Sequence, residues 1–202
     1  MGNGSKDKGD DDAAIGPEAF PLFVLFEAAL APAALVLGWM VGRRPLAGFA
    51  WEWRAALAGL VAAAPMVGFL ALSLRWPVGA LGRIRAFFDR ELAPALQGRS
   101  WRELALLAAV AGVGEEMLFR GVIQTALSES LGRGIGFAAS SVLFGLLHPA
   151  SVAYAVIAGL IGAFLGAVYL ATGNLLSAIV AHAVYDFAAL LMLLRARERA
   201  PG

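Results

Sequence analysis

Two acidic residues and one arginine interrupt a long apolar stretch of this sequence. Glu115 and Glu116 are adjacent, and Arg120 follows four residues after Glu116. A charge near the centre of a membrane-spanning helix costs about 2.5–3.5 kcal/mol, so such residues usually face a protein interior or a water-filled cavity and serve a function. A buried ion-pair cluster is the alternative, but two acids and one base leave one carboxylate unmatched. The three residues therefore predict a functional site inside a membrane.

The two carboxylates are expected to face different directions. Glu116 and Arg120 stand at positions i and i+4 of a helix and can pair along one face. Glu115 is rotated from Glu116 by about 100° around the helix axis. This spacing favours a structural role for one carboxylate and a reactive role for the other.

The chain has two histidines, His148 and His182, and both lie at or within apolar stretches. His148 precedes Pro149, and a residue before proline is biased towards extended backbone, which places His148 at a helix end beside a cavity. His182 and Asp186 are four residues apart, so the carboxylate can orient the imidazole from the same helix face. Taken singly, each histidine could equally be an interhelical hydrogen-bonding group.

Carboxylates and imidazoles that meet in one bundle can activate water. One group accepts a proton from the water while others stabilise the oxyanion, and this chemistry hydrolyses peptide bonds. The candidate catalytic residues are Glu115, His148, His182 and Asp186. As the alternative, Glu115, His148 and His182 could bind zinc or another divalent metal, although the chain lacks the H-E-x-x-H motif. We expect no cofactor.

The composition indicates which elements position these groups. Hydrophobic residues make up 60% of the chain and charged residues 15%, whereas soluble domains are about 45–50% apolar. The absence of cysteine excludes disulfides, thiolate zinc sites and cysteine nucleophiles. A net charge of +1 argues against a nucleic-acid partner, because phosphate binding needs a concentrated basic face. We therefore expect the chain to form a single membrane domain that lies in the lipid bilayer.

The apolar segments predict an all-α, polytopic membrane helix bundle of about six transmembrane helices. They cover residues 19–42, 55–74, 100–127, 134–148, 151–172 and 174–194. Residues 77–97 have the pattern of an amphipathic helix on the membrane surface, and Ser100 with Glu103 forms a capping box that starts the third span. We divide the chain into a disordered polar tail (1–18), two helices with the amphipathic connection (19–99), a membrane core (100–194) and a basic tail (195–202).

The membrane core resembles the CPBP family of CAAX-type prenyl proteases and bacteriocin-processing enzymes. The resemblance covers residues 100–194 and rests on three motifs in order: Glu115-Glu116-x-x-x-Arg120, Phe144-x-x-x-His148 and His182-x-x-x-Asp186. It implies a glutamic intramembrane endopeptidase. Members include proteases that trim prenylated C-termini, proteins that process or give immunity to bacteriocins, and enzymes that cleave C-terminal sorting helices.

The resemblance also implies a role for each motif. Glu115 and His148 would activate the attacking water, and His182 with Asp186 would position or stabilise the oxyanion. Three residues would support the site geometry: Glu116, Arg120 and Phe144. Many relatives carry asparagine at the position of Asp186, and an ionised aspartate cannot donate a hydrogen bond to an oxyanion. Asp186 is therefore either protonated or orients His182.

The distribution of basic residues predicts the topology. Eleven Lys and Arg lie in the N-terminal tail, the 75–102 connection and the C-terminal tail, against four in the opposite loops. The positive-inside rule then places both termini in the cytoplasm. The richness in Ala, Gly and Arg is typical of a GC-rich bacterium, so we expect a bacterial inner membrane. A membrane-associated protein or peptide is a better candidate substrate there than a prenylated one.

Two other classes of function fit the same residues. Membrane Glu, Arg, His and Asp also build the proton relays and substrate sites of ion-coupled transporters, although no inverted repeat accompanies them here. A non-catalytic scaffold or immunity protein would keep the fold and bind a partner without cleaving it. The intact set of candidate catalytic residues counts against this scaffold reading.

Overall fold

A computed structural model describes residues 16–199, and these residues are helical with no strand among them. The α-helices are α1 (Phe20–Met40), α2 (Trp53–Arg75), α3 (Gly79–Phe87), α4 (Ala93–Leu96), α5 (Trp101–Glu116), α6 (Thr125–Leu131), α7 (Arg133–Leu146), α8 (Val152–Thr172) and α9 (Leu175–Glu198). A 3₁₀ turn (Pro17–Ala19) precedes α1, and two π-helical segments (Phe88–Leu92 and Met117–Gln124) join α3 to α4 and α5 to α6. The predicted all-α membrane bundle is confirmed.

Four helical stretches of the described chain are long and apolar enough to cross a membrane. They are Pro17–Met40, Trp53–Arg75, Val152–Thr172 and Leu175–Glu198. Two more of the predicted spans correspond to the continuous helical path 101–131 and to the shorter apolar helix α7. The 14 residues of α7 rise only about 21 Å at about 1.5 Å per residue, less than the roughly 30 Å of a hydrocarbon core. A helix this short can end within the membrane.

The outside of the bundle is apolar, and its inside holds polar groups. Large hydrophobic side chains such as Leu25, Phe26 and Leu160 are exposed, while Glu115, Glu116 and Arg120 are buried. This arrangement suits a lipid solvent, which leaves buried charges no partner except one another. The polar interior is therefore the part of the molecule most constrained by specific contacts.

Helix α9 is central to the packing. It contacts α2, α5 and α8, and α1 packs against α5 and against the π-helix that follows it. As a result, the middle of α5 is enclosed by α1 on one side and α9 on the other. The acidic pair at the end of α5 faces this enclosed space.

The third predicted span differs from a regular helix. It begins with the predicted capping box, in which Ser100 accepts from the Glu103 amide and the Glu103 carboxylate accepts from the Ser100 amide. Directly after Glu116 the chain changes to a π-helix, Met117–Gln124, in which six of eight residues are buried. Short π-helical segments inside α-helices often occur at functional sites.

The segment predicted to form a membrane-surface helix, residues 77–97, is helical as α3, a π-helical turn and α4. Arg83 and Arg90 are exposed on it, and Phe88 is buried. Arg85 donates to the carbonyl of Ala196 near the end of α9. Of the tails, residues 1–15 and 200–202 lie outside the described residues, so the predicted disorder of the N-terminal tail falls mostly there. Helix α9 continues to Glu198, into the stretch assigned to the basic tail.

Candidate active site

A cavity of about 460 Å³ opens between the helices, next to the acidic pair. Its walls are mostly apolar and aromatic, with side chains from α1, α2, α3, α5, α8 and α9. Polar side chains gather at one end: Glu27, Glu115, His148, Tyr154, His182 and Asp186. A volume of a few hundred Å³ with few convergent polar groups is typical of a ligand or substrate site. All four candidate catalytic residues therefore line one cavity.

A fully buried ion network lies behind this polar end. Oε1 of Glu116 accepts from Nη1 of Arg120 at 2.7 Å and from Nδ1 of His182 at 2.8 Å. The exposed fractions of Glu116, Arg120 and His182 are 0%, 1% and 4%. The second guanidinium nitrogen of Arg120 donates to the carbonyl of Gly162 in α8. The network therefore joins α5, the π-helix, α8 and α9 into one rigid unit.

Aromatic packing completes the surroundings of Arg120. Its guanidinium carbon lies 4.8 Å from the centre of the Phe144 ring, a distance suited to a cation–π contact. Gly162 permits this arrangement, because a Cβ on that residue would come within 3.0 Å of the Phe144 side chain. Phe144 thus connects α7 to the network and also reaches His148.

Both ring nitrogens of His182 face carboxylates. Nδ1 contacts Glu116, and Nε2 lies 3.3 Å from Oδ2 of Asp186. Since ionised carboxylates only accept hydrogen bonds, the ring satisfies both contacts when both nitrogens carry protons. Positive and negative groups then alternate along the line Arg120, Glu116, His182 and Asp186. Asp186 is placed to orient His182, and the imidazolium has no N–H left over while both contacts persist.

His148 is held in one tautomer by the end of α7. Its Nδ1 lies 2.7 Å from the carbonyl oxygen of Phe144, which can only accept, so Nδ1 carries the proton and donates. The two rings stack, with centroids 4.8 Å apart and planes 23° apart. Helix α7 ends at Leu146, so His148 stands just past a helix end, as its position before Pro149 predicts. In the neutral imidazole, the lone pair of Nε2 then faces Glu115.

Glu115 differs from its neighbour in having no internal partner. Its Oε2 is buried and accepts no hydrogen bond from any described residue, and the same atom lies 4.0 Å from Nε2 of His148. That separation is too long for a direct hydrogen bond and suits a bridging water. The 100° rotation between the adjacent glutamates thus separates a paired carboxylate from one that faces the cavity.

Glu27 is a site residue that the sequence reasoning missed. It lies on α1, lines the same cavity, and has a buried Oε2 without a hydrogen-bond partner in the 16–199 stretch. The sequence does mark this position, because Glu27 is the one charged residue of the predicted span 19–42. The cost of a central membrane charge, which identified Glu115 and Glu116, applies equally to it.

The three-residue metal set does not assemble. Within residues 16–199, no three His, Asp or Glu side chains are grouped closely enough to hold a metal ion. Glu115 and His148 face each other, but both nitrogens of His182 are engaged by Glu116 and Asp186. A metal at His182 would have to displace one of these carboxylates. The donor geometry therefore does not fit a Glu115, His148 and His182 ligand set.

The family comparison covers the helices that carry all three motifs. Residues 97–188 match the family model described as type II CAAX prenyl endopeptidase Rce1-like. No curated protein and no solved structure matches the chain. The matched segment begins before α5 and ends within α9, so α1 and α2 lie outside it.

Proposed function

Since residues 97–188 belong to the type II CAAX prenyl endopeptidase Rce1-like family within the CPBP group, we propose that this chain is a glutamic intramembrane endopeptidase. It hydrolyses a peptide bond in a membrane-associated protein or peptide. The observation that carries the proposal is the 4.0 Å gap between Oε2 of Glu115 and Nε2 of His148 at the end of an apolar cavity. At this gap, the unpartnered carboxylate of Glu115 and the Nε2 lone pair of His148 face the same position, which a water molecule can occupy.

The chemistry at this gap is a general-base attack. A water between the two groups donates one hydrogen bond to Glu115 and the other to Nε2 of His148. Glu115 takes a proton as the water oxygen bonds to the scissile carbonyl carbon. Collapse of the tetrahedral intermediate breaks the carbon–nitrogen bond, and Glu115 returns the proton to the leaving nitrogen. The products are a carboxylic acid and an amine, which become a carboxylate and an ammonium when the acid proton passes to the amine, with no net change at the residues.

The buried ion network supports this step electrostatically. His182, held protonated between Glu116 and Asp186, places positive charge at the cavity wall where the oxyanion develops. Asp186 orients the ring by accepting a hydrogen bond from Nε2 of His182, and is therefore ionised and does not itself donate to the oxyanion. Arg120 and Phe144 keep Glu116 and His148 in place. The electrostatic contribution thus comes from preorganised charge and needs no free N–H on His182.

The surroundings of the site suggest the class of substrate and the location. Apolar cavity walls within membrane helices favour a hydrophobic segment delivered from the bilayer. We place the enzyme in a bacterial cytoplasmic membrane with both termini in the cytoplasm. The general-base attack uses side chains and water alone, so we propose that no metal is required.

The decisive experiment compares new protein termini in cells. Wild type, Glu115→Gln and the control Glu52→Gln are expressed at equal membrane levels in a bacterial strain lacking its own copy. Glutamine keeps the shape of Glu115 but cannot accept the proton, so the cleavage rate should fall by about 10²-fold or more. Glu52 is exposed, outside the cavity, and carries the matched substitution.

Mass spectrometry of protein termini gives the readout and identifies the substrate. Termini present with wild type and Glu52→Gln and absent with Glu115→Gln support the endopeptidase. Identical profiles for all three, with each protein folded in the membrane, would reject hydrolysis as the function.

A further inference from the structure

Glu27 is built into the candidate site by a contact between backbones. It lies on α1, outside the segment that matches the family. A Cβ at Gly114 would come within 2.7 Å of the carbonyl oxygen of Glu27 and 3.0 Å of the side chain of Leu30. Glycine at this position, directly before Glu115, therefore lets α1 approach α5. The approach places the Glu27 side chain on the cavity wall with Glu115 and Asp186.

The charges around the cavity do not balance. Arg120 and protonated His182 match Glu116 and Asp186 within the buried network. Arg85, which also lines the cavity, pairs with Asp89 at 3.6 Å and donates to the carbonyl of Ala196. Glu27 and Glu115 remain, and neither forms an ion pair with any Lys or Arg of the described chain. Nε2 of His148 lies 4.0 Å from Glu115, and in the proposed step this histidine is a neutral hydrogen-bond acceptor.

Two carboxylate oxygens at this end of the cavity have no hydrogen-bond partner. Oε2 of Glu115 faces the cavity without a hydrogen-bond partner, on a residue only 7% exposed. Oε2 of Glu27 is likewise buried and unpartnered among residues 16–199. Glu115 has a role as the base that activates water, whereas Glu27 is not needed for that step. Glu27 is partly buried as a residue, but its buried carboxylate oxygen without a partner is costly, so a cation from outside the chain would stabilise it.

We propose that Glu27 is a specificity-determining residue whose carboxylate binds a positively charged group of the substrate beside the scissile bond. The inference rests on the proposed function and narrows its substrate class. The walls of the cavity that Glu27 lines are mostly apolar and include Phe23, Phe26 and Phe69. The preferred substrate is therefore a hydrophobic peptide segment that carries a lysine, an arginine or a free amine next to the cleaved bond.

The test uses the full-length protein in phosphatidylcholine vesicles, which carry no net charge. Two pools of apolar peptides have the same random sequences except at one fixed position, which holds lysine in one pool and norleucine in the other. Mass spectrometry gives the initial cleavage rate of each pool. The ratio of the two rates, measured on one preparation, does not depend on the amount of folded enzyme.

The expected result is a preference of about tenfold or more for the lysine pool by wild type, since hydrogen bonds to buried charged groups contribute that much. Glu27→Gln should bring the ratio towards one, Glu27→Asp should restore a preference for lysine, and Glu52→Gln should keep the wild-type ratio. A purely structural role for Glu27 would change both rates together and leave the ratio unchanged.

Three outcomes would overturn the inference, and they can be told apart. Equal cleavage of both pools by wild type would reject the proposed preference for a cationic substrate but would still support the proposed endopeptidase function. A lysine preference that Glu27→Gln retains assigns the specificity to another group. If wild type cleaves neither pool and matches Glu115→Gln, the proposed function fails and this inference fails with it.

Discussion

Removing Arg120 should destabilise the bundle by an amount that follows from its surroundings. The guanidinium is 1% exposed and donates to Glu116 at 2.7 Å and to the Gly162 carbonyl. In Arg120→Met the fully buried Glu116 keeps only His182 as a partner. Breaking a buried pair by removing one member costs about 3–5 kcal/mol, because the remaining charge stays buried without compensation. We expect a loss of that size in the free energy of unfolding.

A double-mutant cycle separates the lost pair from lost packing. Glu116→Gln removes the other charge, and the double variant leaves neither charge uncompensated. The double variant should therefore be more stable than the sum of the two single losses predicts, by about 2 kcal/mol. Arg133 is exposed at the start of α7, so the control Arg133→Met should change stability by less than about 0.5 kcal/mol.

The assay is reversible unfolding in mixed detergent micelles, followed by the fluorescence of the five tryptophans. Each variant is titrated under the same conditions, and the four free energies are combined into the coupling energy. If the losses at positions 120 and 116 add to within about 0.5 kcal/mol, the two side chains are not energetically coupled. The account of a buried ion network would then be refuted.

Three further outcomes follow from the site and from the start of α5. Phe144→Leu should lower kcat on a cleaved peptide by about tenfold with a smaller change in KM, because the stacked imidazole of His148 loses its orientation. A rise in KM of about tenfold with an unchanged kcat would contradict this. Asp186→Asn should keep activity within about tenfold of wild type, since its amide oxygen still accepts a hydrogen bond from His182. Asp186→Leu should lower the activity by about 10²-fold. Similar losses of activity in both variants would contradict the orienting role of Asp186. Ser100→Ala should reduce the free energy of unfolding by about 1 kcal/mol through loss of the cap, and the same detergent titration measures it.

Local spacing was sufficient to predict the elements and the pairs within one helix. Apolar length indicates the membrane helices, and the capping box indicates where α5 begins. The contacts between Glu116 and Arg120 and between His182 and Asp186 occur in the structure at 2.7 and 3.3 Å. Residues four apart on a helix are neighbours whatever the rest of the chain does, so sequence alone determines these pairs.

Tertiary packing decided which pairs combine into a site. Glu116 and His182 are 66 residues apart and meet because α9 packs beside α5. Glu27 joins the cavity because α1 approaches the chain at Gly114. Arg120 lies in the π-helix that follows Glu116, a feature that the sequence pattern did not predict. The hydrophobic pattern of a segment indicates that it is a helix and which of its faces are apolar. Which neighbouring helix each face contacts depends on close packing between helices that are distant in sequence.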